Sequence, residues 1–389
     1  MIDASRAMQE LDESRTDNVL RVLLGMPEQT SLGGPVACEP PFAVALRRLG
    51  VEVAEETYVY GERLAGTTLR QRISRVLRTA RRLRRRLRNE PFDVLHLNSS
   101  FDSRALLRDV TTLGMLRSTL TKVFIKFHGS DADLLRTNDT VLRRFTRTLF
   151  ARTHAIGVLS SEEKENFMRA GIKEQRIFVV KNVVLSTDEA APEAQAPSLR
   201  ERLRVSANTP LLLFIARFIP AKGLLDVIRA CAVLRAGGAS FKLLCVGDGP
   251  VRREAEAEVA RLELDTHVQF FGYIPEAETR AFYRESTLLV FPTYHYEGFP
   301  MVIFKALAAG LPVITTRIRA ARDYLREPDN CLWVAPRNAN ELADKIAQLL
   351  RQPELRATMS ENNRALAQRF NADAVAREYL AVYNQLTDH

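Results

Sequence analysis

Two cations stand close together in ARFIPAKG (216–223), Arg217 and Lys222, where the apolar run PLLLFIAR (210–217) ends. Further along, Glu297 and Gly298 precede Pro300, which opens the apolar helical stretch MVIFKALAAG (301–310). A helix start offers unpaired backbone amides and the positive end of the helix dipole, a natural seat for an anion. Fixed cations beside it complete a site that could hold a diphosphate and steady the charge growing on a leaving group. Each feature alone also has a plain reading, as a solvated basic loop or an ordinary βα turn. The conjunction favours function. One residue breaks the pattern, because Lys305 is a cation inside an otherwise apolar helical run.

For these groups to meet, neighbouring strands must deliver them to one edge. Short apolar strands alternate with amphipathic segments along the chain. The strand segments of the first half are 19–26, 51–59, 92–98, 122–129 and 155–160. In the second half they are 210–217, 241–249, 268–274, 287–293 and 311–316. Continuous apolar runs separated by helices predict parallel strands covered on both faces. The expected fold class is α/β, with two doubly wound Rossmann-like domains facing a central cleft, where ligands of such sheets bind. The boundaries are a tail at 1–18, a first domain at 19–186, an Ala-, Pro- and Glu-rich linker at 187–209, a second domain at 210–370 and a closing helix at 371–389.

Composition narrows the partners. The chain has 389 residues, a net charge of +9 and a pI near 9.6, which favours anions such as nucleotides, nucleic acid or lipid head groups. Its four cysteines, Cys38, Cys231, Cys245 and Cys331, form no metal-binding spacing and suit a reducing compartment. Residues 1–18 are polar and unlike a signal peptide, and no apolar run is long enough to span a bilayer. A cytoplasmic protein, at most lying on a membrane, is expected.

The pieces LGGP (32–35), FHGSD (127–131), ARFIPAKG, GDGP (247–250), FFGYIP (270–275) and YEGFPMVIFKALAAGLPVITT (296–316) occur in an order that resembles the retaining glycosyltransferases of GT-B architecture, family 4. The resemblance covers nearly all of 19–386. It implies sugar transfer from a nucleotide-sugar donor to a hydroxyl acceptor, a glycan or lipid-linked one, with the anomeric configuration retained. Arg217 and Lys222 would hold and stabilise the donor diphosphate in place of a metal; no cofactor is implied. Glu297 would accept from sugar hydroxyls, with Gly298, Phe299, Pro300 and Met301 lining sugar and phosphate. Gly272, Tyr273 and Ile274 would meet the base, and Gly33 and Gly34 would let the first-domain backbone approach the substrates. His128 would stand beside the reacting sugar, or else be satisfied within a strand-end network. The resemblance favours a front-face mechanism, since no carboxylate is marked as a nucleophile. The DAD sequence at 131–133 imitates a metal motif of another fold, but Asp131 reads better as a helix cap.

Two departures from the family pattern stand out. Lys305 occupies the position of a glutamate that faces the nucleotide ribose, and an ammonium only donates. A glycine-rich loop is replaced by RIRAARDYL (317–325), which carries Arg317, Arg319 and Arg322. Both changes add cations, so this edge is expected to hold extra phosphate, with Lys305 reaching back along its helix. Separately, residues 69–90 contain ten arginines, one acid and a clean apolar stripe. The stripe packs on the sheet, and the arginines suit an anionic membrane surface better than nucleic acid, for which no motif is present. Two rivals remain open: a nucleotide-sugar epimerase, and a homologue that kept the fold but lost donor binding.

Overall fold

The computed structural model describes residues 19–28, 34–58, 68–116, 121–186, 198–295 and 297–387. Residue 33, the tail and the first part of the linker lie outside these. Six strands form the first sheet: β1 (Arg21–Met26), β2 (Glu52–Thr57), β3 (Val94–Phe101), β4 (Lys122–Ser130), β5 (Ala155–Val158) and β6 (Ile177–Val179). Its order is β2-β1-β3-β4-β5-β6. The second sheet has β7 (Leu211–Ile215), β8 (Lys242–Val246), β9 (Val268–Gly272), β10 (Leu288–Phe291), β11 (Val313–Thr315) and β12 (Cys331–Trp333), in the order β12-β11-β10-β7-β8-β9. All pairings are parallel.

Each expected strand is present, most with trimmed ends, while β3 and β4 run on to Phe101 and Ser130. The edge strands β6 and β12, three residues each, escaped the sequence reading because so short a run carries no periodicity. Within the expected linker, Leu199–Leu203 is instead a helix, begun by a capping box between Ser198 and Glu201. Leu199 is buried, which draws this segment onto the second domain.

Strand burial follows position. β7, with both faces covered, is buried throughout, whereas the edge strand β2 has only exposed and half-buried residues. The arginine helix (Leu69–Asn89) lays Ala80, Leu83 and Leu87 on the first sheet, and Asp131 caps the helix Ala132–Arg136. All four cysteines are free and buried. Among the described residues, no helix is long and apolar enough to cross a membrane.

The last helix (Ala372–Thr387) leaves the second domain and packs on the first-domain helix Gly34–Arg48. Tyr379, fully buried, donates to the Lys181 carbonyl at 3.1 Å and stacks on His96, while Tyr383 Oη lies 2.6 Å from His96 Nδ1. The chain therefore crosses back and ties the halves together with a buried aromatic cluster. Tyr379→Ala should cost about 3–5 kcal/mol, as large aromatic truncations in cores do. Urea unfolding followed by fluorescence should show an earlier transition; an unmoved midpoint would mean the helix is not a structural tie.

Candidate active site

In the second sheet the strand order reverses between β10 and β7, which pair at Leu288↔Leu212 and Leu289↔Leu213. Carboxyl ends at such a reversal splay their loops apart and leave a crevice. Arg217 and Lys222 follow β7, and Glu297 follows β10, so both expected groups arrive at this point. The loops are stitched together by Tyr294, whose amide donates to the Ala221 carbonyl at 2.9 Å and whose hydroxyl donates to the Pro220 carbonyl at 2.7 Å. Gly223 has φ of 81°, and a Cβ there would lie 2.7 Å from the Pro292 carbonyl oxygen, so the approach of the loops requires glycine.

Lys222, almost buried, forms an ion pair with the partly exposed Glu297, and Arg217 stands exposed at the rim. Burial and then the Arg217 charge pull the Lys222 ammonium down to about 7, and the Glu297 carboxylate opposes them. His295 is a site residue that the sequence reading missed. Burial and the charges of Lys222, Arg217 and Arg319 hold its imidazole down to about 4, so it is neutral at pH 7. Its only sequence signal was its place two residues before Glu297.

The helix Met301–Ala308 begins after Pro300 with no side-chain cap, which leaves its first amides available. Pro300 was expected in the first turn and instead occupies the cap position. Gly298 presses on the first domain, since a Cβ there would lie 2.9 Å from the His128 carbonyl oxygen. Phe299 turns its ring into the core, stacked on Phe304, and so offers the cleft backbone only. Met301 meets Gly34 across the cleft, at 3.1 Å from where a Cβ of that glycine would stand. Gly272 ends β9 with φ of 71°, followed by exposed Tyr273 and half-buried Ile274.

The His128 ring is more enclosed than its expected place beside a sugar suggests. Its Nε2 donates to Asn98 Oδ1 at 2.8 Å, an orientation set by Asn98 Nδ2 donating to the Gly25 carbonyl at 3.0 Å. Burial, then Lys126 and His96, keep it neutral. Beneath it, Lys126 donates to Glu39 at 2.7 Å. Cys38, Glu39 and His128 bring potential metal ligands within 4.8 Å of one another, and the Lys126 ammonium already pairs with Oε1 of that carboxylate.

Three of the four added cations have protein partners. Lys305 does not reach back toward the helix start; it pairs with Glu276, just beyond Ile274, and ties its helix to the loop after β9. Arg317 lies over the Trp333 ring at 5.5 Å. Arg319, a non-glycine residue at φ of 31°, is buried and donates to Glu163 at 3.2 Å and to the Ser130 carbonyl at 3.0 Å. The expected phosphate-rich edge is therefore neutralised in part: Lys305 and Arg319 meet carboxylates, whereas Arg317 lies over a ring and Arg322 is exposed.

The model for Glycosyl transferases group 1 matches residues 195–366, and that for Glycosyltransferase Family 4 matches residues 42–185. An uncharacterized glycosyltransferase of Methanocaldococcus jannaschii is 26% identical over 306 residues, covering 78% of this chain and 78% of that protein. An N,N'-diacetylbacillosaminyl-diphospho-undecaprenol alpha-1,3-N-acetylgalactosaminyltransferase of Campylobacter jejuni is 25% identical over 293 residues, covering 71% of this chain and 74% of that one. The crystal structure of Anabaena HepE with UDP and glucose superposes with a TM-score of 0.70 at 19% identity, over 94% of this chain and 99% of that one, and shares the fold.

The cation cluster makes an electrostatic claim that can be checked on the protein alone. In Lys222→Met, NMR titration of the His295 ring should show its pKa moving up from about 4, because one of the charges holding it down is gone. An unmoved titration would separate the two groups. With the switch-point site in place and the two family models matching 42–185 and 195–366, the chain belongs to the family 4 type of GT-B glycosyltransferases.

Proposed function

We propose that this glycosyltransferase moves a sugar from a nucleoside-diphosphate sugar to a hydroxyl, with retention and without a metal. The observation that carries this reading is the Lys222–Glu297 pair, placed with Arg217 beside an uncapped helix start at the switch point. Arg217 and Lys222 stabilise the departing diphosphate, and the helix amides add to that field. Glu297 accepts from the sugar hydroxyls. The bond from C1 to the phosphate oxygen breaks while the acceptor oxygen bonds C1 on the same face. The acceptor proton passes to the leaving phosphate oxygen, so no carboxylate nucleophile is needed. Gly272–Ile274 supports the base, and neutral His128 contributes hydrogen bonding at the cleft wall. Lys305 acts through Glu276 rather than on phosphate.

The acceptor in this reading is a lipid-linked or cell-surface glycan presented at the inner face of the cell membrane. The diphospho-undecaprenol acceptor in the name of the Campylobacter relative supports it. So does the arginine helix, where Arg75, Arg82 and Arg86 pair with Glu28, Glu56 and Glu90. Arg70, Arg81, Arg85 and Arg88 are exposed and meet no carboxylate among the described residues. Leu69 and Ile73, exposed at the start of the same helix, add apolar contact for a bilayer. Nucleic acid is not the partner proposed.

Thermal unfolding with UDP, GDP, ADP and CMP tests the donor site. A nucleotide at 100 times its Kd adds about 2.7 kcal/mol of stability, at about 2–4 °C per kcal/mol in a domain of this size. One nucleotide should stabilise the wild type and lose its effect in Arg217→Ala, whose kcat should fall by about 10²–10³. Failure of all four to shift the transition would sink the donor reading. In sedimentation, anionic liposomes should retain the protein and neutral ones should not, and Arg81→Glu with Arg85→Glu should weaken retention. Equal binding to both liposome types would end the membrane proposal.

A further inference from the structure

Arg319 and Asp323 belong to the second domain but are bonded to the first. Beyond the Arg319 contacts with Glu163 and Ser130, Asp323 accepts from the Ser161 amide at 2.7 Å and from the Ser161 hydroxyl. Ser161 opens the helix Ser161–Arg169, so Asp323 reaches from the other domain to the positive end of that helix. The receiving carboxylate is built in advance. Glu163 accepts on its own side from Ser130 Oγ at 2.7 Å, the Leu159 amide at 3.1 Å and Ser160 Oγ at 3.2 Å. The donating side is also set, because a left-handed backbone at Arg319 aims the guanidinium and costs energy that surrounding contacts must outweigh. Arg319 follows β11, which pairs with β10 at Phe291↔Thr315, and Thr316 Oγ1 donates to the Thr293 carbonyl. The contact with the first domain and the loop bearing Glu297 are therefore one hydrogen bond apart.

We propose that Arg319 and Asp323 are positioning residues that clasp the two domains, holding the cleft at working width before a donor arrives. Arg319 then touches neither donor nor acceptor. Its effect is on the fraction of molecules already competent to bind, which scales apparent affinity and leaves the chemistry of the bound state intact.

Arg319→Gly is the informative variant, since glycine suits φ of 31° and removes the guanidinium without threatening the local backbone. Glu163→Gln, which keeps the shape of the receiving side chain, is the second. Small-angle scattering of the full chain without nucleotide should give a larger radius of gyration for both than for wild type. Combining the two should add nothing further. Steady-state kinetics should show the donor KM rising by about five- to tenfold with kcat within about twofold, the signature of a lost competent population. Unchanged scattering in both variants would overturn the clasp, as would a fall in kcat at constant KM, which would place Arg319 on the leaving group. The inference rests on the proposed donor site only for its kinetic arm. Scattering needs no donor, so the two ideas can fail separately.

Discussion

The site depends on keeping a lysine ammonium almost out of water at the end of β7. Burial and the neighbouring guanidinium both work against that charge, and the Glu297 carboxylate at the end of β10 is what opposes them. Such a pair costs desolvation and is returned by its mutual attraction only where geometry is good. The reversal of strand order supplies the geometry, because only there do the loops of two adjacent parallel strands diverge and face each other. The hydrogen bonds of Tyr294, the glycine at 223 and the neutral His295 all serve the same small volume.

A second constraint follows from building one site on two domains. The cleft wall on the first domain must be brought to Gly298 and Met301 without filling the space between. Glycine at 298 and at 34 permits close backbone approach where it is needed. Elsewhere the halves are joined by buried contacts: the aromatic cluster around Tyr379, and the Arg319–Glu163 pair. An apolar tie gives strength without direction, and a hydrogen-bonded ion pair gives direction. Together they set distance and angle.

The basic residues sort into two populations. Lys126, Lys222, Lys305 and Arg319 are spent on carboxylates within the fold, largely shielded from solvent. The arginine helix is the contrary case. The later part of its apolar stripe is buried, but Leu69 and Ile73 are exposed, and Arg70, Arg81, Arg85 and Arg88 face outward without carboxylate partners among the described residues. Net charge alone treats these populations alike, although the second is open to an external anion along a helix face, whereas of the first only Lys222 borders the proposed donor site.

Sequence by itself determined the two α/β halves, the principal strands, the stripe of the arginine helix, and the convergence of Arg217, Lys222 and Glu297. These follow from local rules: apolar runs, helix periodicity, and the direction in which a parallel strand delivers the next loop. Tertiary structure decided the rest. Lys305 looked bound for phosphate until Glu276, 29 residues away in the chain, proved to be its partner, and Arg319 likewise turned to Glu163, 156 residues away. His128 lay on the expected strand end, but Asn98 chose the direction of its ring. The strands β6 and β12 exist because a neighbouring strand offers hydrogen bonds to pair with. The physical reason is common to all of these. A backbone element is specified by its own residues, whereas the partner of a long charged side chain is whatever the assembled fold brings within reach.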